Sequence, residues 1–256
     1  MKSVSWVGLQ TIVIKELTRI LRIWGQTLVP PAITMSLYFI IFGELVGRRI
    51  GQMGGLDYMD FIVPGLVMMA VITNSYANIV SSFFGAKFGK HIEEILISPL
   101  PSYIILLGYV TGAVSRGLMV GAVVLVVSML FSDLQIANIG VTVLVVLLTA
   151  IVFSLAGFIN AIFARKFDDI SIIPTFVLTP LTYLGGVFYS IDLLPEFWRN
   201  VSLLNPILYM VNAFRYGMLG VTDVPLATSL TMIVVFALIL GGICLWLLEK
   251  GVGLRS

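Results

Sequence analysis

Six apolar stretches divide this sequence, and each is long enough to cross a lipid bilayer as a helix. A transmembrane helix needs roughly 17–25 predominantly apolar residues. The stretches cover residues 28–45, 61–84, 103–131, 139–163, 170–189 and 226–248. Charged residues make up 11% of the chain, whereas about 25% is usual in soluble domains. The sequence therefore predicts one all-α, polytopic membrane domain over residues 1–256.

Residues 1–23 precede the first span and have the pattern of an amphipathic helix. Val13, Leu17, Ile20, Leu21 and Trp24 fall on one helical face, and Lys15, Glu16, Arg19 and Arg22 lie off it. A helix with this pattern lies in the headgroup plane of a membrane or packs on other helices. Its position just before a span favours the membrane surface. Pro30 and Pro31 are expected in the first turn of the next helix, where a missing N–H does little harm.

The distribution of lysine and arginine predicts the orientation, since cytoplasmic loops are enriched in both. With the N-terminus inside, cytoplasmic segments hold Lys2, Lys15, Arg19, Arg22, Lys87, Lys90, Arg165, Lys166, Lys250 and Arg255. The outer segments hold Arg48, Arg49, Arg199 and Arg215. Both termini and residues 87–101 are therefore predicted to be cytoplasmic.

Residues 190–224 are semi-polar and contain several prolines. Residues 201–221 are apolar enough for a seventh span, but Asn205, Pro206, Asn212 and Arg215 would be costly at the bilayer centre. We therefore expect short outer helices, partly re-entrant, covered by other protein.

Polar side chains inside the spans are candidates for a substrate pathway, because charged and amide groups are costly in lipid. They are Asn74, Asn78 and Arg116. Arg116 has a second interpretation, as a cation near the interface whose head group reaches water. Tyr183 belongs to an aromatic set that suits an amphipathic cargo or ordinary helix packing. The pairs Gly108/Gly112 and Gly117/Gly121 favour close helix approach.

Several kinds of chemistry are excluded by motif. A phosphate-binding loop is absent, since Gly85 to Lys90 lacks its spacing and its following Ser or Thr. One histidine and one cysteine leave no Cys/His metal-ligand set, and neither HExxH nor GxSxG occurs. The spans lack the central carboxylate that proton-coupled carriers usually have. Any energy for transport must then come from another protein.

The segment 178–215 resembles the signature region of type-2 ABC exporter permeases. The residues that carry this resemblance are Gly185, Gly186, Pro195, Asn205, Pro206, Tyr209 and Arg215. Glu94, Leu96, Ser98 and Pro99 match the family's turn between spans two and three, and Lys15, Glu16 and Arg19 match its amphipathic start.

The resemblance implies a half-transporter of the bacterial inner membrane. Two copies, or one copy and a homologue, would form the pathway, and two separate ATPase subunits would supply ATP and Mg²⁺ chemistry. The chain itself would carry no cofactor, catalytic residue or metal, and would bind no nucleic acid. Export as the direction of transport is implied by the resemblance.

The resemblance also makes residues 87–101 the coupling helix that docks on the ATPase. Lys87, Lys90, Glu93 and Glu94 would complement charges of a cleft, and Ile92, Ile95 and Leu96 would form an apolar anchor, ended by Pro99 and Pro101. The charged turn 165–169 is either a second contact with the ATPase or a solvated connection between helices.

A non-transporting membrane scaffold and a secondary carrier are the alternative functions.

Overall fold

The computed structural model describes residues 2–132 and 136–254. Arg255, counted above among the cytoplasmic cations, lies outside these residues. In chain order the α-helices are α1 (Lys2–Arg22), α2 (Trp24–Tyr38), α3 (Gly47–Ile50), α4 (Tyr58–Phe88), α5 (His91–Ile97), α6 (Ser102–Ser128), α7 (Ile139–Phe163), α8 (Asp169–Ile173), α9 (Thr179–Leu184), α10 (Glu196–Leu203), α11 (Pro206–Leu219) and α12 (Leu226–Lys250).

Short irregular elements connect these helices. The π-helical segments Phe39–Val46 and Pro174–Leu178 join α2 to α3 and α8 to α9, and Ile191–Leu193 forms a 3-10 turn. Strands β1 (Gln52–Met53) and β2 (Leu56–Asp57) form an antiparallel pair in which Gln52 faces Asp57.

The prediction of an all-α, polytopic membrane protein is confirmed. Among the described residues, five helices are long and apolar enough to cross a membrane: Trp24–Ile50, α4, α6, α7 and α12. The predicted fifth span, 170–189, corresponds to the shorter apolar helix Asp169–Leu184. That helix rises about 24 Å, less than the roughly 30 Å hydrocarbon core. A count of six spans therefore stays a prediction.

The long helices run between two ends of the bundle. At the end called lower here, Phe84, Lys87, Ile162, Arg165 and Leu254 line one cavity. At the upper end, Ser132 donates to Asp60, and the Ala137 amide donates to the Met218 carbonyl at 2.9 Å. Helix α4 is central and packs most extensively on α6 and α7. Its apolar stretch is 78% buried, against 11% for Trp24–Ile50.

The first long helix begins earlier than predicted. It starts at Trp24, directly after a break at Ile23, whose ψ of 31° leaves the helical range. Pro30 and Pro31 consequently lie inside the helix, and the expectation that they occupy its first turn is wrong. Each proline removes one helical hydrogen bond at that point.

The side of α1 that faces the protein also differs from the prediction. Glu16 is 0% exposed, whereas Leu21 and Trp24 of the predicted apolar face are exposed. The reason is close packing of α1 on α6, where Gly108 and Gly112 leave room for Ile12 and Glu16. Partner side chains for the carboxylate lie on the same side, so a charged residue is buried in place of an apolar one.

Residues 201–221 form short helices, as expected, with α11 buried among α4, α7, α9 and α12. Helix α11 rises about 21 Å, which is too short for a span. Arg215 on α11 is 0% exposed, so protein atoms surround it on every side.

Candidate functional site

A groove of about 350 Å³ lies beside the first long helix. It is lined by Gln26, Thr27, Pro30, Pro31, Thr34, Met35 and Tyr38 of α2, by Met69, Ala70, Thr73 and Asn74 of α4, and by Arg116 of α6. Two of the predicted pathway residues, Asn74 and Arg116, thus meet at one site. Its other walls are mainly proline, methionine and small residues, so the groove combines an apolar surface with a cation.

Arg116 lies in the middle of α6, far from either end of the helix. It is partly buried, and its Nε atom is shielded from solvent without a hydrogen-bond partner among the described residues. Thr27 faces the same groove, is fully buried, and its hydroxyl likewise finds no partner in the described chain. Asn74 donates its amide to the Ala70 carbonyl at 3.0 Å, which leaves its side-chain oxygen as an acceptor.

A buried ionic network adjoins Arg116 from the side of α1. The Glu16 carboxylate accepts from the Ser82 hydroxyl at 2.6 Å and from Arg19 Nη2 at 3.0 Å, and Lys15 Nζ lies 3.6 Å away. Arg19 Nη2 also donates to Asn78 Oδ1 at 2.8 Å. Asn78, another predicted pathway residue, therefore holds α1 against α4 and does not line the groove.

The fourth predicted pathway residue, Tyr183, lies near the upper end of the groove. Its hydroxyl oxygen is 3.4 Å from that of Tyr38, which lines the groove. Phe188 packs on both tyrosines, with ring centroids 5.9 Å apart in each pair, and on Phe42 at 4.7 Å. These four rings form an aromatic cluster that links the first long helix to the α9 region.

A second candidate site is α5, which connects the lower ends of α4 and α6. Ile92 is 1% exposed, and Ile95 and Leu96 pack against the protein core. Ile92 is thus occupied in attaching α5 to its own chain, whereas Ile95 and Leu96 are only partly buried and their role as an anchor for a partner stays a prediction. Glu93 and Glu94 are exposed, as expected, and so is Ile97 at 84%.

The lysines of segment 87–101 have different roles. Lys87 Nζ donates to the Ile162 carbonyl and, at 2.9 Å, to the Ala164 carbonyl at the end of α7. It is thus hydrogen-bonded within the chain, and its expected contribution to the charge of a docking surface stays a prediction. Lys90 is exposed and has a φ of 59°, which turns the chain sharply between α4 and α5.

The end of α5 matches the proline signal. Ser98 is extended with ψ of 150°, as a residue before proline prefers, and Pro99 is exposed. Leu100 then packs on Gly8 of α1, where a Cβ atom would collide with it. The segment after α5 is consequently held by α1.

The signature residues meet at the upper end. Arg215 Nη2 donates to the Gly186 carbonyl at 2.6 Å, and its guanidinium lies 3.9 Å from the centre of the Phe61 ring. Gly186 has a φ of 71°, a conformation that favours glycine. Gly185 packs on Ile207, where a Cβ would lie 2.8 Å from the side chain.

The remaining signature residues start and brace the short helices. Asn205 caps α11 by accepting from the Ile207 amide at 3.0 Å and donates to the Leu181 carbonyl at 2.6 Å. Pro206 is the first residue of α11, and Pro195 directly precedes α10. The Tyr209 hydroxyl donates to the Leu203 carbonyl at 2.8 Å. These contacts make the signature residues one structural unit at the upper end.

The model of the ABC-2 type transporter family matches residues 7–219, which include the groove, α5 and the signature unit. The chain belongs to the ABC-2 type transporter family. It is 58% identical, over 256 residues and all of both chains, to the inner membrane transport permease YadH of Escherichia coli strain K12. It is 25% identical to Nodulation protein J of Rhizobium leguminosarum biovar trifolii, over 72% of this chain and 71% of that protein.

An ABC-2 family member is a membrane permease subunit of an ABC transporter, and the resemblance stated from sequence is thereby confirmed. Sequence reasoning about this ABC-2 permease missed Thr27 in the groove and Ile97 on α5, and it misplaced Glu16. The burial of Glu16 has a signal in the sequence: cationic residues flank this carboxylate, and the Gly108/Gly112 pair can leave room for its side chain. No group of His, Cys, Asp and Glu able to hold a metal ion occurs in the described part of the ABC-2 permease.

Proposed function

We propose that the chain is the permease of an ATP-driven exporter in the bacterial inner membrane, with both termini in the cytoplasm. Two copies form the pathway, and two separate ATPase subunits dock below them and supply ATP and Mg²⁺. The family match supports the ATPase partner, the full-length similarity to an inner membrane permease supports the location, and the resemblance to type-2 exporters supports the direction. The lower end of the bundle is then cytoplasmic.

The observation that carries this proposal is the division of α5 into an attached side and a free side. Ile92 is buried in the permease core, while Glu93, Glu94 and Ile97 face outward. A helix fixed to α4 and α6 in this way passes a rigid-body displacement to both. A partner that grips the free side can therefore move the helices that line the groove.

We place the second permease copy on the side of the first long helix. Helix α12 exposes Val234, Val235, Leu238 and Ile239, an aliphatic face that suits lipid. The first long helix also exposes aliphatic side chains such as Ile33 and Leu37, but it borders a groove with a cation, which lipid tails solvate poorly. A second copy covering this side would enclose two grooves in one pathway. Asn74 and Arg116 then line the pathway, and Tyr183 lies at its upper end. Asn78 contributes indirectly, by holding Arg19 of α1.

The Glu94→Lys substitution tests the docking assignment. We expect the variant to insert normally but to co-purify with little ATPase, because reversing one exposed charge opposes the complementary charge of the cleft. Glu249→Lys, an exposed glutamate at the lower end of α12, is the matched control and should retain the ATPase. Normal co-purification and normal transport by Glu94→Lys would contradict the assignment of α5 as the coupling helix.

A further inference from the structure

The groove beside α2 has more positive charge than its own surroundings neutralise. Among the described residues that line the groove, Arg116 is the charged one, and the carboxylate of the adjoining network, that of Glu16, is already contacted by Lys15 and Arg19. Arg116 has neither a hydrogen bond nor an ion pair within the described chain, and the charge of Arg19 acts on it repulsively. An unneutralised arginine between apolar helices is unfavourable unless an anion approaches it.

The groove also supplies hydrogen-bonding groups at the same place. Thr27 is one of the residues that line the groove, it is fully buried, and its hydroxyl lacks a partner among the described residues. It is available to donate to an oxyanion, while Arg116 is suited to the paired oxygens of a phosphate or carboxylate. A buried hydroxyl left without a partner is costly, so Thr27 is a second unsatisfied polar group at the same groove.

The apolar walls limit what the anion is attached to. Pro30, Pro31, Met35 and Met69 extend the groove beyond the cation, and Tyr38 closes it toward the aromatic cluster. A volume of about 350 Å³ admits a head group with the first part of an alkyl chain. A fully hydrated small anion would make no apolar contact with these walls.

We propose that the groove binds the anionic head group, phosphate or carboxylate, of an amphipathic molecule, with Arg116 and Thr27 as its polar ligands. The role of this molecule as cargo rests on the proposed exporter function, whereas the binding itself does not. A transported amphiphile and a resident anionic phospholipid offer the same chemistry to Arg116, and the experiment separates them.

Binding is tested with the full-length permease in phosphatidylcholine nanodiscs and tritiated dodecyl phosphate. We expect saturable binding to the wild type and affinity at least about tenfold weaker for Arg116→Gln, since one charge-assisted contact is lost. Arg116→Lys should recover part of it, and Thr27→Val should weaken it about threefold or more. Neutral dodecyl maltoside should compete poorly. The control, Arg22→Gln, changes an exposed cation of α1 and should bind like the wild type.

Equal affinity of the wild type, Arg116→Gln and Thr27→Val would overturn the proposal, and so would the absence of saturable binding to the wild type. The latter is the result expected if a carboxylate of a second copy occupies Arg116. Thr27→Val keeps the side-chain shape, so it decides the question even if Arg116→Gln fails to fold.

A second measurement identifies the source of the anion. Stimulation of ATP hydrolysis by dodecyl phosphate in the permease–ATPase complex identifies cargo. An anionic phospholipid retained in native mass spectrometry, without stimulation, identifies a resident lipid, and either result supports the site. A complex that hydrolyses ATP but binds no dodecyl phosphate contradicts this inference alone, whereas binding by a permease that captures no ATPase contradicts the proposed function alone.

Discussion

Arg215 and Arg116 are both arginines within apolar helices, yet the protein treats them differently. Arg215 is enclosed completely, donates through Nη2 to the Gly186 carbonyl and lies against the Phe61 ring, although its Nε and Nη1 atoms have no hydrogen-bond partner among the described residues. Arg116 borders a groove and has no such partner in the described chain. Both are unusual in sequence, but the first has partners of its own chain and the second is available to something else. A charge between membrane helices indicates a binding site when its own fold leaves it without a counterpart.

The largest effect is expected from Arg215→Ala. The substitution empties the volume of the largest fully buried side chain and leaves the Gly186 carbonyl without its donor. We expect a loss of about 2–5 kcal/mol in the free energy of unfolding, seen as a lower thermal midpoint of the detergent-purified protein. Arg116→Ala is the paired control, with a change within about 1 kcal/mol because no counterpart is orphaned. Equal losses for both variants would remove the distinction between the two arginines.

The intermediate effect is expected from Glu16→Gln, which acts on the network beside Arg116. The neutral amide retains a hydrogen bond with Ser82 but loses the attraction to Arg19 and Lys15. We expect a loss of about 1–3 kcal/mol in the free energy of unfolding, measured by thermal unfolding. Because Arg19 then lacks its carboxylate partner and the network beside Arg116 becomes more positive, dodecyl phosphate should bind more tightly than to the wild type.

Glu196→Gln is the control for this change, since Glu196 is exposed on α10 and should tolerate the amide without consequence. Weaker dodecyl phosphate binding by Glu16→Gln, in a protein that remains folded, would show that the carboxylate organises the groove and does not compete with the anion.

Much of this arrangement could be predicted from sequence, and the limits have a physical cause. Arg116 stands out because apolar residues surround it along the chain, and α5 stands out because charged residues interrupt two apolar runs. The partners of a side chain, by contrast, depend on helices distant in sequence. Glu16 is buried because Gly112, on a different helix, leaves room for its stem. The family resemblance singled out Gly186 and Arg215 separately, but their contact is seen only in the structure, because periodicity within one helix carries no information about it.

The smallest effect on stability is expected from Ile97→Ser, which applies the same distinction to apolar side chains. Ile97 is exposed, whereas Ile92, one and a half turns earlier on α5, is buried in the core. Replacing Ile97 should change the free energy of unfolding by no more than about 0.5 kcal/mol, since the isoleucine makes few contacts with its own chain. It should nevertheless reduce ATPase co-purification, because an exposed apolar side chain beside two carboxylates suits a docking surface. Ile92→Ser is the matched variant and should lower the thermal midpoint first. Undiminished ATPase capture by Ile97→Ser would mean that the free side of α5 contributes charge alone to docking, which leaves Glu93 and Glu94 as its contact residues.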